Sequence, residues 1–208
     1  MKAKGIKNLL IDFGGVLINL DRQRCIENFR KLGLQNVDEL LNVYHQQGIF
    51  MQQEKGLITS AEFRDSIREM ASKSLTDQQI DEAWNSFLVD VPTYKLDLLL
   101  KLREKYVVYL LSNTNEIHWR WSCEHAFPYR GFRVEDYFGK IYLSFEMRMV
   151  KPDAEIFETV LADANIDPKE TFFIDDSEAN CQAAQKLGIS TYTPQAGEDW
   201  SSIFNLKR

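Results

Sequence analysis

The stretch LLIDFGGVLINLD, Leu9–Asp21, decides how this chain is read. Its apolar run ends in Asp12 and breaks at once into Gly14 and Gly15. A short, continuous apolar run bounded in this way fits a central strand of a parallel sheet, buried on both faces, with a carboxylate at its tip. Two further segments share the pattern: YVVYLLSNT, which runs into Ser112 and Asn113, and TFFIDDS, which runs into Asp175 and Asp176. A fourth and weaker strand, Ile189–Tyr192, follows Gly188. The intervals between them are long enough for crossover helices, so the expected fold class is α/β, with a Rossmann-like parallel sheet as its core.

Residues 20–91 have a different texture. Val37, Leu40, Leu41 and Tyr44 recur at helical spacing, as do Phe63, Ile67, Met70 and Ala71, and then Ile80, Trp84, Phe87 and Leu88. Thr59 with Glu62 and Thr76 with Gln79 form capping-box patterns at two helix starts. With Ile26, Phe29 and Leu32 ahead of them, the count is four short helices. The spacing therefore predicts a small four-helix cap, residues 20–91, inserted after strand one into a core made of residues 1–19 and 92–208. The segment GIFMQQEKGL, Gly48–Leu57, reads as a cap loop that sets specificity.

The chain has 208 residues, enough for one substantial core with an appendage. A net charge of -6 argues against nucleic acid or an anionic membrane as partner. Three cysteines at scattered spacings, Cys25, Cys123 and Cys181, read as reduced packing thiols in a cytoplasmic protein. The first apolar run stops at Asp12, too short for a signal peptide or a membrane span.

Ligands of open α/β sheets bind outside the carboxyl ends of the strands. Here those ends carry Asp12, Ser112 with Asn113, and Asp175 with Asp176, while Lys151 before Pro152 is expected at a helix N-terminus near the same edge. Oxygens of Asp12 and Asp176 suit a small hard cation such as magnesium. A carboxylate can also attack phosphorus and form an aspartyl-phosphate. Ser112, Lys151 and the N–H groups after Asp12 would hold the non-bridging oxygens, so the chemistry read from these residues is phosphoryl transfer.

At this point the sequence resembles the haloacid dehalogenase superfamily, and within it the capped phosphatases with a helical insert after strand one. By that resemblance Asp12 is the nucleophile and a magnesium ligand, with the Gly14 carbonyl and Asp176 as further ligands. Asp175 would belong to the metal site as well, standing beside these ligands and orienting water or Lys151. Ser112, Asn113, Lys151 and the Gly15 backbone would hold the phosphate of a small phosphorylated metabolite. The resemblance also exposes a departure: related phosphatases usually have an acid-base aspartate where this chain has Gly14. Asp21 is the first stand-in, with His45 and Glu54 behind it; alternatively the substrate has a good leaving group, as in a sugar 1-phosphate.

Other readings of the same pattern are a catalytically impaired binder of phosphorylated ligands, a 2-haloacid dehalogenase and a phosphomutase. The acidic pair Asp175-Asp176 argues against the dehalogenase, and Gly14 against the mutase. Arg148 stands where related chains often have glycine, and a surface pair with Glu146 or Glu155 is expected of it. His118, Trp119 and Trp121 read as packing and surface residues.

Overall fold

The computed structural model describes residues 5–41, 46–195 and 197–204. Strand β1, Asn8–Ile11, is followed by α1 (Arg22–Leu32), α2 (Val37–Leu40), α3 (Gly48–Glu54), α4 (Ser60–Ala71) and α5 (Asp77–Asn85). Then come α6 (Thr93–Arg103), β2 (Val107–Ser112), α7 (Glu116–His125), α8 (Val134–Tyr137), β3 (Lys140–Leu143) and α9 (Ser144–Met147). The chain closes with α10 (Ala154–Ala164), β4 (Thr171–Ile174), α11 (Glu178–Lys186) and β5 (Ser190–Tyr192). All paired strands are parallel, in the order β3-β2-β1-β4-β5. No helix among the described residues is long and apolar enough to cross a membrane.

The register decides what meets at the sheet's edge. Ile11 lies opposite Leu110 on one side and Ile174 on the other, so Asp12, Ser112 and Asp175 emerge at nearly one level. The Asp12 N–H extends the ladder by donating to the Ile174 carbonyl at 2.9 Å. Every residue of β1 and β4 is buried, which explains why their sequences run apolar without alternation. Strand β3 went unread because KIYL is short, lies at the sheet edge and opens on a lysine.

In the cap, the capping boxes at Thr59 and Thr76 form as read. Four cap helices have seven or more residues, but their membership differs from the expectation. The Val37 pattern yields only one turn, and Tyr44 lies outside the described residues. Gly48–Leu57 is mainly the helix α3 rather than a loop. Phe50, the buried apolar residue of that helix, packs edge-on against Phe29, Phe63 and Trp84, and these rings form the cap's share of the hydrophobic core.

Backbone joins cap to core at two places. The entering and leaving segments pair: Asn19 N–H donates to Asp90 C=O, Val89 N–H to Asn19 C=O, and Asp21 N–H to Phe87 C=O, all at 2.8–2.9 Å. At the other junction α3 docks on α9. Gly56, with φ +62°, lies so close to the backbone that a Cβ there would fall 2.1 Å from the Phe145 carbonyl oxygen. Gly131 shares a positive φ but has nothing within 4 Å of a Cβ. Gly131→Ala is therefore expected to cost only the backbone strain, about 1 kcal/mol, while Gly56→Ala adds an overpacking cost and loses about 2–5 kcal/mol in denaturant unfolding. Equal losses would mean that the α3–α9 approach contributes nothing.

Candidate active site

Lys151 organises the site. Its side chain is 1% exposed, and its ammonium donates to Asp12 Oδ1 at 2.7 Å, Asp175 Oδ2 at 2.6 Å and the Leu111 carbonyl at 2.9 Å. Those three bonds use all three N–H groups of the lysine. Helix α10 starts only at Ala154, so Lys151 precedes the helix instead of sitting at its N-terminus. What holds it is Asn113, whose side-chain amide donates to the Lys151 carbonyl and accepts from the Lys151 N–H, both at 2.9 Å. This corrects the role expected of Asn113: its amide is committed to the Lys151 backbone and is not left for a phosphate. Asp175 is fully buried and equally committed, with Oδ2 on Lys151 and Oδ1 accepting from Ser177 N–H and Asn180 Nδ2 at 2.9 Å.

The loop after Asp12 is turned by its own backbone. Ile18 N–H donates to Phe13 C=O, and Gly15 N–H donates to Ile18 C=O. Gly15 is therefore not the phosphate donor expected of it. Its need for glycine is spatial: at φ +70°, a Cβ would lie 2.1 Å from Asp176 Oδ2. By contrast, the N–H groups of Phe13 and Gly14 and the Gly14 carbonyl have no hydrogen-bond partner among the described residues, and both residues line the cavity. The Val16 carbonyl anchors the loop from behind, accepting from the buried Lys95 ammonium at 2.7 Å and the Trp200 indole at 3.2 Å. Neither anchor was foreseen from the sequence, since each lies far along the chain.

Carboxylate oxygens of Asp12, Asp175 and Asp176 lie within 4.8 Å of one another. Three carboxylates against one ammonium leave an excess of two negative charges. Burial, together with the repulsion of Asp175 and Asp176, pushes Asp12 up to about 8 against the pull of Lys151. Burial and Asp175 push Asp176 up to about 6. For Lys151, burial opposes the charge, but Asp12 and Asp175 outweigh it and the lysine stays firmly protonated. A divalent cation beside Asp12, Asp176 and the unpaired Gly14 carbonyl fits this oxygen-rich, over-negative corner. Without a cation, native Asp12 retains a proton between pH 4 and pH 8 that the unfolded chain has lost, so stability falls as pH rises through that window. Thermal melts in chelator are thus expected to show a lower Tm at pH 8 than at pH 5, and magnesium to raise Tm more at pH 8. A magnesium shift of equal size at both values would contradict this account.

The cap closes the site to a cavity of about 70 Å³, with Asp12, Ser112, Lys151 and Asp176 on the core side and Glu54 and Phe87 on the cap side. Sites that enclose a small organic ligand hold roughly 300–1,000 Å³, so in this arrangement the cavity is too small for a sugar-sized ligand. Ser112 is buried, with its hydroxyl only 3.4 Å from the Asn113 carbonyl and so weakly engaged. Asp21, the first stand-in for the missing acid, is corrected: its carboxylate caps α1, accepting the Arg24 N–H at 2.9 Å, and it does not line the cavity. His45 lies outside the described residues. Glu54 does line the cavity, and burial pushes it up to about 8 although Lys151 pulls the other way.

His118 also reaches the cavity, but burial holds its ring down at about 3, so it is neutral and its Nε2–H donates to the Trp84 carbonyl at 3.1 Å, joining α7 to the cap. Arg148 adopts a left-handed φ of +57°, which accounts for the glycine of related chains. It is exposed, forms no ion pair among the described residues, and so does not make the expected pair with Glu146 or Glu155.

A family model described as haloacid dehalogenase-like hydrolase matches residues 6–188. The D-ribitol-5-phosphate phosphatase of Bacteroides thetaiotaomicron is 40% identical over 195 residues, covering 94% of this chain and 95% of that protein. A crystal structure of another haloacid dehalogenase family enzyme from the same organism, in complex with magnesium and inorganic phosphate, is 74% identical with a TM-score of 0.93, covering 97% of this chain and all of that one. The 2-haloacid dehalogenase of Pseudomonas syringae pv. Tomato is 16% identical with a TM-score of 0.59, over 94% of this chain and 89% of that one, a likeness of fold alone. With matched residues spanning strands β1 to β4, the cap and every strand-end residue discussed above, the chain belongs to the haloacid dehalogenase-like hydrolases.

Proposed function

We infer that this chain is a magnesium-dependent phosphatase of a small phosphorylated metabolite, and we propose a pentitol or sugar phosphate of the D-ribitol 5-phosphate type as its substrate. The observation that carries the reading is the Asp12 carboxylate, gripped by a buried ammonium and placed beside unpaired backbone N–H groups. The named activity of the 40% identical relative supports the substrate class. The magnesium and phosphate held by the 74% identical enzyme support the metal and the phosphoryl group.

In this reading Asp12 attacks phosphorus while Ser112 and the N–H groups of Phe13 and Gly14 hold the non-bridging oxygens, and Lys151, its three N–H groups engaged, orients Asp12 and lends its positive charge to the site. Asp12, Asp176 and the Gly14 carbonyl would hold magnesium, which neutralises charge on the phosphoryl group when bound. Asp175 positions Lys151 instead of ligating, because both of its oxygens are taken. Asn113 positions the Lys151 backbone, and Gly15 admits the Asp176 carboxylate. The helical stretch 20–91 acts as the cap that opens for substrate, and the segment containing α3 reads the organic part. Three free cysteines support a cytoplasmic setting.

A dehalogenase would have no use for a second carboxylate pair facing its anionic substrate, so the acidic corner weighs against that reading. The test is phosphate release from sugar 1-phosphates, sugar 6-phosphates and pentitol 5-phosphates, with magnesium and with chelator. Release is expected only with magnesium, and Asp12→Asn is expected to lower kcat by more than about 10⁴-fold while the protein stays folded. Magnesium-dependent turnover retained in Asp12→Asn would remove Asp12 as the nucleophile.

A further inference from the structure

Hydrolysis of an alkyl phosphate expels an alkoxide, and Gly14 offers it no proton. The titratable side chains that share the cavity with Asp12 among the described residues are Glu54, His118, Lys151 and Asp176. Lys151 has spent its three N–H groups on Asp12, Asp175 and Leu111. His118 is neutral, and its Nε2–H is engaged by Trp84. Asp176 packs against Gly15 in the over-negative corner suited to a cation. Glu54 alone is uncommitted: its carboxyl has no hydrogen-bond or ion-pair partner among the described residues, while its backbone is fixed. The Ser144 hydroxyl, which accepts the Thr114 N–H at 2.9 Å, donates to the Glu54 carbonyl at 2.7 Å. Two residues on, Gly56 rests against the Phe145 carbonyl.

Resting on the phosphatase reading, we propose that Glu54 is the general acid and base of this enzyme, supplied by the cap in place of the residue that Gly14 lacks. In the first step an Asp12 oxygen forms a bond to phosphorus, the bond from phosphorus to the ester oxygen breaks, and that oxygen takes the Glu54 proton to leave as the alcohol. In the second step the Glu54 carboxylate removes a proton from water, the water oxygen bonds to phosphorus, and the phosphorus–Asp12 bond breaks. Phosphate leaves, Asp12 is again a carboxylate, and Glu54 is again protonated. Burial keeps the Glu54 carboxyl protonated near neutrality, as the first step requires, with Lys151 the attracting charge and Asp12 and Asp176 the other acids facing it. The arrangement couples chemistry to closure, since the proton donor arrives only when the cap is down.

The experiment compares wild type with Glu54→Gln on two esters, a pentitol 5-phosphate with an alkoxide leaving group and p-nitrophenyl phosphate, whose phenolate leaves without help. The ratio kcat/KM reports phosphoryl transfer to Asp12, the first irreversible step. Glu54→Gln is expected to lower it by about 10²- to 10⁴-fold on the alkyl ester and by less than about tenfold on the aryl ester. Thermal melting and binding of inorganic phosphate with magnesium are expected to stay near wild type, which separates lost chemistry from lost fold. Equal losses on both esters, or no loss on either, would overturn the proposal while an active wild type kept the phosphatase reading. A wild type inactive on both esters would overturn that reading and the proposal with it.

Discussion

The Lys151 ammonium lies among three oxygens that come from the carboxyl ends of three strands: Asp12 after β1, the Leu111 carbonyl in β2, and Asp175 after β4. A charge so deeply buried is tolerated only when its donors are satisfied, and here three acceptors meet three N–H groups. That match fixes the relative heights of the strand ends and therefore where the Asp12 carboxylate stands. It also sets the charge balance, since one ammonium cannot neutralise three carboxylates. The site is thus both rigid and short of positive charge. A metal ion together with a phosphate can enter such a place, whereas a neutral ligand gains little from it.

The residues that hold this arrangement are spread along the chain. Asn113 grips the Lys151 backbone from the end of β2, and Asn180 and Ser177 grip Asp175 from the start of α11. The loop that follows Asp12 hangs from Val16, whose carbonyl is shared by Lys95 in α6 and Trp200 near the other end of the chain. Burial lowers Lys95, yet the bond to Val16 gives its ammonium a partner where water is excluded. The placement of Asp12 therefore depends on contacts from α6, the end of β2, the start of α11 and Trp200.

Much of this was legible in the sequence because it follows from local pattern. Apolar runs ending in Asp12, Ser112 and Asp175 gave three strands and the edge where the site lies, and the capping boxes gave two cap helices with their first residues. What escaped depends on contacts between distant segments. Asn113 and Gly15 have the residue types of phosphate donors, but their polar groups are claimed by Lys151 and Ile18, which no spacing reveals. Asp21 reads equally as a free acid or as a helix cap, and the Arg24 N–H decides for the cap. Glu54 was legible only as one acid among several, because α3 reads as a loop when Phe50 is its one large apolar anchor. The cavity that singles Glu54 out exists only once cap and core meet.

The paired linkers at Asn19 and Asp90 carry a consequence for how such a molecule arose. An insertion whose two ends lie side by side interrupts its host at one point, so the host sheet need not rearrange to accommodate it. The insert in turn gathers Phe29, Phe50, Phe63 and Trp84 into a group of aromatic contacts that runs on into the core beneath the sheet. Replacing such a segment would leave the sheet's own connections in place, though the new segment would have to match the paired linkers, the α3–α9 contact and the contact of α5 with α7. The Asp12 carboxylate and the residues of the insert that face it can then change on separate schedules, one under the constraint of a buried charge and the other nearly free of it.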